Sequence, residues 1–207
     1  FKNNPYFDMP AEKGYAYYCS CTLERLREMR KAQESEHKPP MYDGHCRNLG
    51  LSHKEGYVTR LKVPNEGTTT FTDLIRGEVS FENKLIDDQV ILKSDGFPTY
   101  HLGVVVDDHE MQITHIIRGE EWISSTPKHI LLYQFFGWEI PNIAHVSVLR
   151  NPDKSKLSKR KNPVWVSWFR DQGYLPEAIR NYLATMAWSF PEGRDIFSLS
   201  EMIEVFD

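Results

Sequence analysis

The sequence has no hydrophobic run approaching the roughly 20 residues that a helix needs to cross a bilayer, so it predicts no membrane span. It is also poor in cysteine: it has only three, an odd number, and all lie within the first 46 residues. Such a set does not predict a disulfide framework and is more typical of a reducing, cytoplasmic location with a local metal site. The chain opens with neither a signal peptide nor an initiator methionine, so we expect it to begin in mid-protein.

An excess of positive charge is also absent, since 25 lysines and arginines are outweighed by 29 aspartates and glutamates. A general positive field for nucleic acid is therefore excluded, although a local patch is not. Residues 154–161 form such a patch, with five cations in eight positions. This composition is typical of a loop that closes on polyphosphate, where ammonium groups neutralise developing charge. A solvated basic turn and a nucleic-acid patch are the alternatives.

Hydrophobic periodicity predicts a small mixed unit in the first part of the chain. Thr22 precedes an amphipathic segment that has Leu23 and Leu26 on one face, which predicts a short helix with Thr22 as its N-cap. Alternation of apolar and polar residues predicts a strand over 57–63, and residues 73–81 predict a further strand pair.

The rest of the chain alternates strands and helices. Strands are predicted at 90–92, 102–106, 113–117 and 146–149, and helices from Thr126 to a stop at Gly137, from Leu175 and from Ser198. The strand at 102–106 is predicted from its β-branched residues. This alternation is typical of an α/β fold with a parallel sheet, in which ligands gather at the carboxyl ends of the strands.

Four segments resemble, in order, the catalytic core of bacterial glutamyl-tRNA synthetase, a class I aminoacyl-tRNA synthetase. They are residues 97–102 (Phe-Pro-Thr-Tyr-His-Leu), 106–109 (Val-Asp-Asp-His), 117–122 (Ile-Arg-Gly-Glu-Glu-Trp) and 156–160 (Lys-Leu-Ser-Lys-Arg). The resemblance implies the second half of a class I Rossmann-like α/β catalytic domain over 86–165. It also implies an inserted α+β acceptor-binding subdomain over 1–85 and the start of a helical stem-contact region over 166–207.

The resemblance identifies residues 156–160 as a version of the family's Lys-Met-Ser-Lys-Ser loop. It implies that Lys156 and Lys159 are catalytic and that, with Ser158, they bind ATP. Two ammonium groups there would stabilise the negative charge that grows on the phosphates as a carboxylate attacks the α-phosphate and pyrophosphate departs.

The same resemblance implies two neighbouring pockets. Arg118 is expected to bind the side-chain carboxylate of glutamate, because a guanidinium matches a carboxylate in two bonds and stays charged. Tyr100 is expected to line this amino-acid pocket. Trp122 is expected beside the nucleotide, and Val148 and Leu149 are expected to hold adenine. Without the resemblance, each of these side chains would be read as a surface ion pair or as core filling.

One residue and two polar clusters stay outside the predicted site. Where the family commonly has asparagine, this chain has Val104, whose side chain cannot make the hydrogen bonds of an amide. Either another group holds the glutamate, or the two positions do not correspond. The acidic clusters at 107–109 and 120–121 are read as strand-end caps or polar groups near tRNA, because adjacent residues on a strand point to opposite faces and rarely chelate one ion.

The cysteines predict a zinc site, because zinc takes four ligands in a tetrahedron and two cysteines one residue apart can bind it from one turn. Cys19 and Cys21 form such a pair, and Cys46 follows in a second loop. A small core of reduced cysteines is the alternative. By the resemblance Tyr42 is the fourth ligand, while ordinary zinc chemistry favours an imidazole, from His45, His37 or His53.

The resemblance implies a monomeric enzyme that uses ATP and Mg²⁺ to join glutamate to tRNA-Glu through glutamyl-adenylate. The family's His-Ile-Gly-His motif is absent from the sequence, so the 207-residue chain alone is expected to be nearly inactive. Two other functions fit the same residues: a glutamyl-queuosine tRNA-Asp synthetase, and a noncatalytic RNA-binding module stabilised by zinc.

Overall fold

The computed structural model describes residues 4–148, 150, 151, 153, 155, 157 and 164–206. The chain divides into two compact units, Phe1–Ser147 and Val148–Asp207. The boundary predicted between residues 85 and 86 falls within the first of these units, and the boundary predicted between residues 165 and 166 falls within the second.

The first unit contains two sheets and four α-helices among its described residues. In chain order its elements are α1 (Met9–Glu12), β1 (Ala16–Cys19), α2 (Leu23–Ser35), β2 (Val58–Leu61), β3 (Thr68–Asp73), β4 (Gly77–Glu82), β5 (Val90–Leu92), α3 (Tyr100–Glu110), β6 (His115–Gly119), α4 (Thr126–Phe136) and β7 (Asn142–Val146). Strands β1, β2 and β5 form an antiparallel sheet in that order. The second sheet has the order β4-β3-β7-β6, in which β3, β7 and β6 are parallel and β4 is antiparallel to β3. The predicted α/β class with parallel strands is therefore confirmed.

Local signals explain where the best-defined helices begin and end. The Thr22 hydroxyl accepts a hydrogen bond from the Arg25 backbone N–H (3.3 Å), as expected of an N-cap. Helix α4 has Pro127 in its first turn, where the missing N–H costs nothing, and it ends at Gly137, whose φ of 74° is in the left-handed region. Both predicted helices are confirmed.

The strand predicted at 102–106 is wrong, because these residues lie within helix α3. Leu102, Val105 and Val106 fall at spacings of three and four residues, so a helix turns all three towards the core, and all three are buried. The burial gained outweighs the slight helix penalty of β-branching. Asp107, Asp108 and His109 therefore lie on a helix and not at the end of a strand, which corrects that expectation as well.

Two other strands begin earlier than predicted. The strand expected at 146–149 lies at Asn142–Val146, and in the pair expected over 73–81 the first strand ends at residue 73. Both strands contain polar residues, and the fold buries two of them, Asp73 and His145.

Helix α4 connects the cores of the two sheets. Its Leu131 and Leu132 join the larger cluster, which also contains Leu61 of β2 and Leu102 of α3. Ile130, which is fully buried, packs in a separate cluster with Phe71 of β3 and Ile143 of β7. Because α4 is buried on several sides, it also holds its polar residues at fixed positions over the second sheet.

The second unit is helical in its described part. It contains α5 (Val166–Asp171), α6 (Pro176–Ala187) and α7 (Leu199–Val205). The predicted capping box of α7 is confirmed, since Ser198 accepts from the Glu201 backbone N–H while the Glu201 carboxylate accepts from that of Ser198. Among the described residues of the chain, no helix has the length and hydrophobicity needed to cross a membrane.

Candidate active site and metal centre

Three polar side chains meet at the carboxyl ends of the three parallel strands. Asp73 is the last residue of β3, and Arg118 and His145 are directly paired in the register of β6 and β7. Asp73 pairs with Ile143, and His145 lies two residues further along the same strand, on the same face. Adjacent parallel strands therefore present Asp73, His145 and Arg118 side by side.

Arg118 is the centre of this cluster. Its Nε donates to His145 Nε2 (3.1 Å), and its Nη2 donates to Thr126 Oγ1 (2.8 Å). Its Nη1 lies 3.2 Å from His129 Nδ1. These contacts use three of the five N–H groups of the guanidinium, and the Tyr100 side chain forms a further hydrogen bond with it.

The side chains at hydrogen-bonding distance from the Arg118 nitrogens are two imidazoles and a hydroxyl, and none of them is a carboxylate. Burial lowers the pKa of the half-buried guanidinium, while the nearby Tyr100 and Asp108 side chains act in the opposite direction. None of the ion pairs within the described ranges includes Arg118. A desolvated cation whose direct partners are an imidazole pair and a hydroxyl favours an anionic ligand at its remaining N–H groups.

Two further histidines extend the cluster under α4. His129 Nε2 lies 2.9 Å from Nδ1 of His101, and both residues are buried. Burial is the main cause that lowers the pKa of His129 to about 2 and that of His101 to about 4, and the positive charge of Arg118 acts in the same direction. Both rings are therefore neutral at physiological pH, and Nδ1 of His129 is free to accept the N–H of Arg118.

The structure brings close to Arg118 both Tyr100, which was predicted to line the amino-acid pocket, and Trp122, which was predicted to lie beside the nucleotide. The Tyr100 and Trp122 rings lie 4.7 Å apart, and the Trp122 ring lies 5.8 Å from the Arg118 guanidinium carbon. The Thr126 hydroxyl connects them further by donating to the Trp122 carbonyl (3.0 Å). Val104 is not part of this group, because it packs against the hydrophobic core.

The predicted phosphate loop cannot be compared with this geometry. Lys156, Ser158, Lys159 and Leu149 lie outside the described residues. Val148 is described and is half-buried, but it belongs to the second unit. The roles of these five residues stay predictions.

The three cysteines converge where β1 leads into α2. Their Sγ atoms lie within 4.8 Å of one another, and those of Cys21 and Cys46 are 3.6 Å apart. The Tyr42 hydroxyl lies 3.4 Å from Cys19 Sγ and 3.2 Å from Cys21 Sγ, and it accepts a hydrogen bond from the Cys46 backbone N–H (3.0 Å). Four potential ligand atoms therefore surround one point.

The cysteine cluster fits zinc. A tetrahedral ion with Zn–S bonds of 2.3 Å holds its sulfur ligands about 3.8 Å apart, which is close to the Cys21–Cys46 separation. Burial acts to raise the pKa of Cys46, yet hydrogen bonds from Tyr42 and the Ser20 backbone lower it below that of a free thiol. Within the described ranges, the group that could hold a metal contains the three cysteines and no imidazole, so the geometry favours Tyr42 over the histidines considered as fourth ligand.

The sequence matches the family of class I tRNA synthetases for Glu and Gln, catalytic domain, over residues 3–207. The chain belongs to this family. It is 54% identical over 202 residues to a glutamate–tRNA ligase of Gloeobacter violaceus, covering 94% of this chain and 38% of that relative. It is 55% identical over 213 residues to one of Acidothermus cellulolyticus, covering 98% of this chain and 42% of that relative.

The fold of this chain matches that of solved glutamate-tRNA synthetase structures. The glutamate-tRNA synthetase of Elizabethkingia anophelis superimposes with a TM-score of 0.81 at 36% identity, and the match covers 98% of this chain and 48% of that one. A glutamate tRNA ligase from Elizabethkingia meningosepticum, solved in complex with its amino acid, matches equally well. The resemblance to a class I synthetase catalytic domain is therefore confirmed, and the chain spans less than half the length of these relatives.

The sequence analysis assigned no role to five residues of the cluster around Arg118, namely Asp73, His101, Thr126, His129 and His145. Thr126 was noted only as a helix start, and the other four are polar residues within or at the end of buried elements. A histidine inside the apolar run of residues 143–146 was the one available signal, because a buried polar side chain requires a partner.

Proposed function

We propose that the protein containing this chain joins glutamate to tRNA-Glu in two steps, first forming glutamyl-adenylate from glutamate and ATP and then transferring the acyl group to the terminal ribose of the tRNA. The observation that carries this proposal is the Arg118 guanidinium, half-buried at the carboxyl end of β6 and bound to neutral partners. The family and the relatives named glutamate–tRNA ligase support it.

In this proposal Arg118 recognises the side-chain carboxylate of glutamate, and Tyr100 lines the same pocket. Glutamine would present an amide whose N–H₂ group faces the guanidinium. Hydrogen bonds to charged groups contribute about 1.5–3 kcal/mol, which corresponds to roughly tenfold or more in affinity. The cluster therefore favours a carboxylate over an amide by charge as well as by shape.

The substrate carboxylate is itself the nucleophile in the first step, so the enzyme needs no catalytic base. Its task is to position the two substrates and to stabilise phosphate charge. We assign that charge stabilisation to Lys156 and Lys159, with Ser158, on the sequence pattern. Mg²⁺ would accompany the ATP phosphates, and Trp122, Val148 and Leu149 would contact the nucleoside.

We further propose that zinc is bound by Cys19, Cys21 and Cys46 with Tyr42. When bound, it would cross-link the turn after β1 to the loop that contains Cys46, and so fix the predicted acceptor-binding segment. This role is structural, because protein groups fill all four positions. We expect the whole protein to be a cytoplasmic monomer.

Pyrophosphate exchange by the complete protein tests the proposal. With tRNA-Glu present, exchange should require glutamate, and Arg118→Ala should raise the KM for glutamate. Truncating one member of a buried charge pair costs about 2–5 kcal/mol, so the increase should be roughly 30-fold or more. Arg180→Ala, which removes an exposed arginine in α6, is the matched control and should leave that KM unchanged.

Two results would refute the proposal. One is exchange that does not depend on glutamate, and the other is an Arg118→Ala variant with the KM of the unaltered protein. Charging of tRNA-Asp in place of tRNA-Glu would indicate the glutamyl-queuosine activity.

A further inference from the structure

We infer that Asp73 and His145 are positioning residues that set the orientation and hydrogen-bonding state of the Arg118 guanidinium. This inference rests on the proposed function, in that Arg118 is taken to bind a carboxylate. Neither residue is among those predicted to contact the substrate. They act through a continuous chain of contacts: Asp73 Oδ2 lies 2.6 Å from His145 Nδ1, and His145 Nε2 accepts from Arg118 Nε at 3.1 Å.

The contacts define which nitrogen of His145 carries the proton. A carboxylate only accepts hydrogen bonds, so Nδ1 must donate to Asp73. Arg118 only donates, so Nε2 must carry the lone pair. Both conditions are met by one state alone, the neutral ring with its hydrogen on Nδ1. In the other neutral state, or in the doubly protonated ring, an N–H of His145 would point at an N–H of Arg118.

Asp73 is itself held rigidly. Its Oδ1 accepts the backbone N–H groups of Ile75 (2.9 Å) and Arg76 (3.0 Å), and its Oδ2 accepts that of His145 (3.1 Å). Burial acts against its charge, but these hydrogen bonds and the one from the His145 ring lower its pKa. The Asp73 and His145 side chains are both fully buried. The carboxylate is therefore ionised, fixed and shielded from water.

Because the His145 imidazole lies between them, the buried Asp73 carboxylate can stabilise the charge of Arg118 without forming a direct ion pair with it. A carboxylate in direct contact would take two N–H groups of the guanidinium in a bidentate pair and compete with the substrate. Through His145 the negative charge stabilises the buried cation, yet it uses only the Nε–H. The carboxylate therefore occupies neither terminal nitrogen, and the imidazole defines the angle of the guanidinium. The same logic applies where an aspartate orients a catalytic histidine.

Asp73→Asn tests this inference because it preserves shape while removing the acceptor pattern. Both oxygens of Asp73 accept N–H groups, so the amide of asparagine must present its own N–H₂ to a donor in either orientation. If it faces His145, the ring hydrogen moves to Nε2 and confronts Arg118. In glutamate-dependent pyrophosphate exchange by the complete protein, we expect the KM for glutamate to rise roughly 10-fold to 100-fold, by analogy with the effect of replacing residues that orient the ligands of a metal ion. The KM for ATP and kcat at saturating glutamate should change little.

Asp88→Asn is the matched control. Asp88 is also a buried aspartate, and it accepts hydrogen bonds from Tyr17 and Arg47 and from the Val63 backbone, away from Arg118. This variant should lower the thermal stability and leave the KM for glutamate unchanged. A general effect of losing a buried carboxylate would instead raise the KM in both variants, and that result would overturn the inference.

Two substitutions of His145 keep the inference testable if Asp73→Asn does not fold. The carboxamide of His145→Gln reaches the position of Nε2 and can accept from Arg118, whereas that of His145→Asn reaches only the position of Nδ1. We expect His145→Gln to retain a lower KM for glutamate than His145→Asn. Equal KM values in the two variants, or an unchanged KM in Asp73→Asn, would refute the positioning role.

The two proposals can fail separately. If the unaltered protein shows no glutamate-dependent exchange, the proposed function is wrong, and crystal structures of the unaltered protein and Asp73→Asn then decide the positioning role. Loss of the Arg118–His145 contact in the variant alone would support it, and retention of that contact at 3.1 Å would overturn it.

Discussion

Acid should destabilise the first unit through the buried ring of His129. Burial, aided by the charge of Arg118, lowers the pKa of His129 to about 2 in the folded state, whereas an unfolded histidine has a pKa of about 6.5. Because the folded value is the lower one, the unfolded chain takes up the proton first. The stability that the neutral ring provides is complete above pH 6.5 and is lost as the pH falls from there towards 2, at about 1.4 kcal/mol per pH unit.

Between pH 6.5 and pH 5 this one ring should therefore reduce the free energy of unfolding by about 2 kcal/mol. His101, whose pKa is lowered to about 4, acts in the same direction. In His129→Asn the amide oxygen can still accept from Arg118 but no group titrates, so the slope of unfolding free energy against pH should fall by about 1.4 kcal/mol per unit. Urea titrations at half-unit steps measure that slope.

The exposed His53 supplies the control for this experiment. His53→Asn should leave the slope as it is in the unaltered chain. If His129→Asn also retains the full slope, the ring at position 129 is not held neutral by its surroundings, and the description of Arg118 as a cation among neutral acceptors is wrong.

Two further predictions concern the metal and the phosphate loop. The complete protein should contain one zinc per chain by elemental analysis. Cys46→Ser should bind far less zinc because a thiolate ligand is lost, while the neighbouring His45→Ala should keep the metal. An unchanged zinc content in Cys46→Ser would contradict the site. Lys159→Ala should lower the rate of glutamate activation roughly 100-fold or more while changing ATP affinity much less, as expected of a charge that acts in the transition state. Pre-steady-state measurements separate the two quantities, and equal effects on rate and affinity would exclude that role.

Helix termini could be predicted from the sequence because their signals are local. A proline fits the first turn of α4 and a glycine with positive φ ends it, and both effects depend on backbone chemistry within a few residues. The capping box of α7 is also contained in four residues. These elements needed no knowledge of their neighbours in space.

Helix α3 shows why propensity alone fails. Residues 104–106 are three valines, which favour a strand when considered singly. The same segment, however, places Leu102, Val105 and Val106 on one helical face, and the core of the first unit covers that face. Tertiary packing decided between two readings that the sequence permits, so the spacing of buried positions was the more informative signal here.

For a similar reason, some residues of the candidate site were predicted from the sequence and others were not. Arg118, Tyr100 and Trp122 were identified through their resemblance to a known motif, and the structure brings them together. Asp73 lies 72 residues before His145, so no local pattern connects the two. Their contact arises from the parallel register of β3, β7 and β6, and a register is a property of the folded sheet.

The position of Asp73 in the chain bears on how the chain is divided into segments. It ends a strand that the sequence analysis assigned to the acceptor-binding segment, yet the hairpin of β3 and β4 shares a sheet with β7 and β6. The Arg76–Glu120 ion pair (2.7 Å) joins the turn of this hairpin to the residues that follow β6. Because the hairpin contributes the carboxylate that orients His145, any shift of the hairpin must reach Arg118 through two hydrogen bonds. In the proposed enzyme, glutamate recognition thus depends on a hairpin that lies outside the pocket, because the position of this hairpin affects the orientation of Arg118.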